Sequence, residues 1–153
     1  MLNRHLSRFG LIIGCGLFAG SAAAQPVAGT PDLQTTSITF KTKCKETTCT
    51  IKNVTTLIEN IGTGDAANTS LDYYLSADNI LTTETDTFVH RVSLGKVKAG
   101  KTKKRTLGGG LLKQHNVVSG QYLFVVIDAD GTLVELDDTN NTFSSQIILA
   151  PSN

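Results

Sequence analysis

A chain of 153 residues with 14 Lys and Arg against 13 Asp and Glu has room for one principal domain and little net charge. That balance excludes the marked basic excess of a nucleic-acid binder.

The first 24 residues read as a secretory signal peptide. Arg4 and Arg8 form a basic start, Leu11 to Ala19 a short apolar segment, and Ala22-Ala23-Ala24 an A-x-A cleavage signal. The apolar segment is too short to span a bilayer. Ile12-Ile13-Gly14-Cys15 resembles a lipobox, but few apolar residues precede Cys15 and the alanine signal lies downstream, which favours cleavage over lipidation. Removing residues 1–24 takes away two basic residues and no acidic one, leaving 129 residues with a net charge of −1. The expected destination is the periplasm or the extracellular space, with no membrane span and no nucleic-acid partner.

Residues 25–34, with Pro26, Gly29 and Pro31, read as a flexible leader, and a single domain is expected over 35–150. Ile38 and Phe40 alternate as a first strand. Cys44 and Cys49 bracket a hairpin-length stretch, and in an oxidising compartment they should form a structural disulfide. A redox pair favours C-x-x-C spacing, and a metal site needs more ligands than two thiols. In the next strand Ile51 falls on one phase and Val54, Thr56 and Ile58 on the other, so a bulge near Lys52-Asn53 or two buried faces is required. Glycines of the Asn60–Gly64 turn are expected to supply unusual dihedrals.

Leu71, Tyr73 and Leu75 alternate inward, and Phe88, His90, Val92 and Leu94 share one phase of the following strand. A lone His90 there reads as a core-edge residue. The lysine-rich run from Lys96 to Arg105 reads as an edge strand guarded against pairing, with an anion site as the rival reading. Gly108-Gly109-Gly110 lacks the phosphate-loop pattern, and no helix is expected after it. Tyr122 to Ile127 is apolar on both phases, as a central strand covered on both sides would be. Tyr122 is placed where a tyrosine corner would sit. An acidic hairpin then turns at Asp128-Ala129-Asp130-Gly131 and returns through Leu133 to Leu136. The last strand carries Phe143, Ile147 and Leu149 on one side.

About seven short strands separated by turn signals make an all-β, Ig-like antiparallel β-sandwich. In that topology the Gly62–Asn68 loop, the Lys98–Lys101 turn and the acidic hairpin share one end. Asp65, Lys98, Lys101, Asp128, Asp130 and Glu135 are then candidate interaction residues, for a protein or cell-surface partner or for weak self-association. Asp128 and Asp130 are the candidate Ca²⁺ ligands, with hard oxygens suited to that ion, although the EF-hand pattern fails and a solvated hairpin is the plainer reading. No cofactor is otherwise implied. Without a nucleophile elbow or a carboxylate pair in apolar sequence, the chain is not expected to be an enzyme.

Several strings occur together: Pro31-Asp32-Leu33, Asn60-Ile61-Gly62, Tyr73-Tyr74-Leu75-Ser76-Ala77-Asp78, Gly120-Gln121-Tyr122, and the acidic hairpin closing on Asn140-Asn141. In this order they resemble CARDB, the cell-adhesion-related domain found in bacteria. The resemblance implies an Ig-like sandwich in an exported or surface protein, acting as a binding or adhesion module. Two other classes stay open: a regulator, such as an inhibitor, of a secreted or periplasmic enzyme, and a calcium-assisted glycan-binding module.

Overall fold

The computed structural model describes residues 29–45 and 48–150. The signal-peptide segment, Cys15 and residues 25–28 of the leader lie outside them. Seven strands and one short helix follow in the order β1 (Leu33–Lys45), β2 (Thr48–Asn60), β3 (Ser70–Ser76), β4 (Thr87–Ser93), β5 (Thr102–Gly108), α1 (Gly109–Lys113), β6 (Tyr122–Ile127) and β7 (Thr142–Gln146). They form two antiparallel sheets, β1-β2-β5 and β4-β3-β6-β7. The expected β-sandwich is therefore present.

Alternation places the core. Leu71, Tyr73 and Leu75 of β3 and Leu123, Val125 and Ile127 of β6 belong to one buried cluster with Val54 and Ile58 of β2. Tyr73 is fully buried, and its hydroxyl meets Thr56 Oγ1 at 3.0 Å across the sandwich. Phe124, on the other phase of β6, is only 4% exposed, whereas Tyr122 and Val126 on that phase are half-buried, so cover on the outer face is confined to the middle of the central strand. The bulge required in β2 falls at Lys52, which is skipped between the pairs Lys41–Asn53 and Thr42–Ile51. One extra residue resets the period, so Ile51 and Val54 both reach the core. Cys44 and Cys49 face each other in the ladder and are disulfide-bonded.

Five expectations need correcting. The leader does not run to residue 34, because Pro31 and Asp32 are buried and β1 begins at the fully buried Leu33. Phe88 does not face inward. Val89 is the extra residue opposite the Tyr73–Tyr74 step, so Val89 turns in and Phe88 turns out against Tyr74, their rings 5.5 Å apart and edge-on. A helix does follow the glycines, the single turn α1, whose Leu112 caps the core. Leu133 to Leu136 is not a strand paired to β6; the whole 128–141 segment is a loop. Tyr122 shows no corner bond among the described residues, and the buried tyrosine is Tyr73.

The N-terminal segment is held by one side chain. Asn60 ends β2, is fully buried, and uses every polar group it has. Its Oδ1 accepts from Asp32 N and Gly62 N, each at 3.1 Å. Its Nδ2 donates to Gly64 O at 2.8 Å and Val97 O at 3.0 Å. Its backbone pairs with Lys101 O and Gly100 N. Gly62 serves this arrangement through space, not through a left-handed dihedral. A Cβ there would stand 2.5 Å from Asp32 N and Thr30 O, too close for any larger residue.

Asn60→Ala leaves one buried carbonyl, Gly64 O, and two buried N–H groups, of Asp32 and Gly62, without partners, and takes one of two donors from Val97 O; it should cost about 3 kcal/mol or more. Urea denaturation measures it; a loss below about 1 kcal/mol would mean that other contacts hold these loops. Replacing both Cys44 and Cys49 by Ser should cost about 2 kcal/mol, read as a fall of a few degrees in Tm.

Candidate functional site

The three connections β2–β3, β4–β5 and β6–β7 gather at one end, as the topology requires. Ala66 and Val97 bridge the first two through a pair of backbone hydrogen bonds, and Asp128 N donates to Ser70 O at 3.0 Å to attach the third.

The charged residues expected to face a partner there are mostly spent on the fold. Asp65 pairs with Lys96 at 2.8 Å and accepts from Ala99 N, and those hydrogen bonds hold its carboxyl below the usual carboxylate range. Lys98 and Lys101 are exposed on the neighbouring turn, where Lys101 N donates to Lys98 O. Asp128 is 7% exposed and sits at a φ of 48°, a left-handed conformation that Asp tolerates better than most residues. Its Oδ1 accepts from Thr69 Oγ1 at 2.5 Å and Thr132 Oγ1 at 3.0 Å, and its Oδ2 from Leu133 N at 2.7 Å.

Asp130 points elsewhere. It accepts two bonds from Arg91, at 2.8 and 3.0 Å, on the outer face of the four-stranded sheet. Arg91 in turn grips the buried Asp72 of β3 through Nε at 2.6 Å and NH2 at 2.7 Å. Asp128 and Asp130 thus diverge, and the two candidate calcium ligands do not come together. Among the described residues no group of three or more His, Cys, Asp or Glu side chains is arranged to hold a metal.

Glu135 also turns inward. Its Oε1 accepts from Leu33 N at 2.7 Å and its Oε2 from Asn141 Nδ2 at 2.8 Å. Burial pushes its carboxyl above the usual range, although both bonds oppose that shift. Glu135 is a single carboxylate buried by tertiary packing, not a pair set in apolar sequence. Nearby sequence carried no sign of it, because the burying residues come from the chain's other end.

These bonds explain why 128–141 is a loop. Leu136 N donates to Pro31 O, and Asn140 Nδ2 donates to Asp32 Oδ1 at 2.7 Å. The returning segment pairs with the N-terminal segment in place of β6. Leu133 and Glu135 turn in, and Val134 and Leu136 turn out, 81% and 63% exposed. Ile61, 49% exposed, lies across the Pro31–Asp32 segment, since Ile61 N donates to Asp32 O. Sequence reading placed Leu133 to Leu136 in a strand and so missed these exposed side chains. Their alternation was the available signal, without the pairing partner that assigns the faces.

The lysine-rich segment is an edge, as expected, because β5 borders its sheet. Lys103 and Arg105 share the phase of the buried Leu107 and lean between the sheets. Arg105 donates to Ser93 O at 3.0 Å and to Leu94 O, and Lys103 Nζ donates to Lys96 O at 2.8 Å. Burial depresses the Lys103 pKa. Charges turned inward at an edge are a known guard against strand addition. His90 is half-buried on β4 opposite Tyr73.

The CARDB family model matches residues 30–145. A domain of a Methanosarcina acetivorans protein described as a cell-surface protein superposes with a TM-score of 0.61 at 19% identity, covering 80% of this chain and 95% of its own. The CARDB domain of a Pyrococcus furiosus protein, in complex with di-metal ions, superposes with a TM-score of 0.50 at 18% identity, covering 78% of this chain and 96% of its own. At these identities the likeness is one of fold. No curated protein matches the sequence. No described helix is long and apolar enough to cross a membrane.

Asp72 is 2% exposed while Asp130 is 50% exposed, so the two arms of Arg91 should differ in worth. Arg91→Met should destabilise by about 3 kcal/mol, by stranding a buried carboxylate. Asp130→Asn should cost less than about 1 kcal/mol. Denaturation midpoints of the two variants check this, and equal losses would refute the asymmetry.

Proposed function

The chain belongs to the CARDB family, and from that premise we propose that it is an exported, non-catalytic binding module that docks a protein partner through the loop end of its sandwich. The observation that carries this reading is the outward display of Val134 and Leu136 on a loop whose backbone and inward side chains are fastened to β1. Large apolar side chains on a pre-ordered loop lose little conformational freedom on binding. Exposed apolar side chains gathered on one surface are the usual sign of an interaction site. Ile61 adds to the same end. The lysines Lys98 and Lys101 stand at that end as an exposed charged rim, which would set orientation and association rate more than affinity.

The residues expected to meet the partner thus change. Asp65, Asp128 and Glu135 organise the loops, and the apolar pair makes the contact. The metal ions named for the Pyrococcus furiosus domain also make a cation a candidate ligand of this chain.

The test uses the protein immobilised and exposed to envelope proteins of its own source. A partner retained by the wild type should be lost at least tenfold by Val134→Asp with Leu136→Asp, with Tm unchanged because both side chains already face solvent. Retention of the same partner by the double variant would sink the proposed surface.

A further inference from the structure

Two open sheets leave four edge strands, β1, β5, β4 and β7, and three of them carry devices against strand addition. β5 turns Lys103 and Arg105 inward. β1 sets Lys41, Lys43 and Lys45 along its second half and shifts register twice. β4 holds the extra residue Val89 and displays Arg91. β7 has none of these. Thr142-Phe143-Ser144-Ser145-Gln146 is uncharged, holds no proline and pairs with β6 without a shift, so its short length is its one protection.

The ladder shows which backbone groups of β7 face out. Ile127 N donates to Asn141 O at 2.8 Å and Ile147 N to Gln121 O at 2.7 Å, both in the register of the β6–β7 pairing. Antiparallel bonds fall on alternate pairs, so Phe143 and Ser145 bond to β6 while Thr142, Ser144 and Gln146 turn their N–H and C=O groups away from it. The far side of β6 agrees, since Asp128 N donates to Ser70 O and thereby assigns the even-numbered residues of β6 to β3. Among the described residues nothing bonds to the outward backbone groups of Thr142, Ser144 and Gln146. Thr142 and Gln146 are exposed, and Ser144 is half-buried.

We propose that β7 pairs antiparallel with β7 of a second copy of this chain, across a twofold axis at Ser144, joining two four-stranded sheets into one. The edge is complementary to itself. Ser144 meets Ser144 of the second copy and Thr142 meets Gln146 in both directions, and every one of these pairs is of the kind that exchanges two backbone hydrogen bonds. Near a twofold axis a residue meets its own kind, so a lysine there would repel its copy. Hydroxyl and amide side chains can hydrogen-bond across the seam instead. The absence of charge from this one edge is what pairing with itself demands, and it offers no charged handle for selecting a different strand. A seam this short buries less than the roughly 1,200 Å² at which stable interfaces begin, so the dimer is weak and forms where the protein is concentrated. Because β7 runs in opposite directions in the two copies, the two loop ends stand at opposite ends of the dimer. The seam therefore leaves Val134 and Leu136 uncovered and does not rest on the docking surface.

The test is sedimentation equilibrium of the purified protein up to about 1 mM, near the weak limit of specific association, with amide NMR over the same range. The expected result is a reversible monomer–dimer equilibrium, with concentration-dependent shifts at Thr142, Ser144 and Gln146. Ser144→Lys and Ser144→Asp should each weaken association at least tenfold, and an equal mixture of the two variants should associate again, because opposite charges then meet at the axis. Ser144→Pro removes an N–H that bonds nothing in the monomer, a place where edge strands tolerate proline, and should abolish the dimer with the fold intact. Val134→Asp with Leu136→Asp should dimerise as the wild type does. A protein that stays monomeric at every concentration would overturn the proposal, as would association that survives Ser144→Lys. Loss in both charged variants without recovery on mixing would deny the twofold register, and loss in the Val134 and Leu136 double variant would move the contact to the loop end; either sinks the proposal.

Discussion

The buried amide of Asn60 is the constraint on which the loop end depends. One side chain closes hydrogen bonds to the segment before β1, to its own turn and to the β4–β5 loop. Three stretches far apart in sequence are thereby set at fixed spacing, and none could satisfy its backbone groups alone. Because every bond is buried, the network behaves as a unit: a missing partner costs more than an average hydrogen bond contributes. Gly62 belongs to the same constraint, since only the absence of a Cβ lets Asp32 and Thr30 approach.

From that fixed point the N-terminal segment becomes a template for the β6–β7 loop. Leu33 N donates to Glu135, Pro31 O accepts from Leu136, and Asp32 accepts from Asn140. Strings that looked unrelated along the chain, Pro31-Asp32-Leu33, Asn60-Ile61-Gly62 and Asn140-Asn141, are thus neighbours in one hydrogen-bonded corner. This gives their joint occurrence a physical basis beyond the resemblance itself. The polar residues of the corner face inward and hold the loop, which leaves apolar side chains to face outward.

Charge in this molecule is largely structural. Arg91 neutralises the buried Asp72, Arg105 caps the carbonyls at the end of β4, and Asp128 organises a turn. A one-dimensional reading assigns such residues to solvent because their neighbours in sequence are polar. The residues that bury them are supplied by other strands, which local sequence cannot show.

What the sequence determined by itself was the sandwich. Period-two alternation in β3 and the doubly apolar β6 name their faces directly, and the phase conflict in β2 demanded the bulge found at Lys52. The Cys44–Cys49 pair was legible for the same reason, as two residues across one hairpin. The extra residue in β4 was not legible, because a bulge that flips Phe88 and Val89 depends on the partner strand's register. Nor was the path of residues 128–141. Leu133 to Leu136 has the alternation of a strand, and only the tertiary structure decides that its partner is the N-terminal segment instead of β6. That choice points Glu135 inward and Val134 and Leu136 outward, and it sets Asn140 against Asp32 and Asn141 against Glu135. Alternation says that two faces differ; it takes long-range hydrogen bonds, here those anchored by Asn60, to say which face meets the protein and which meets solvent.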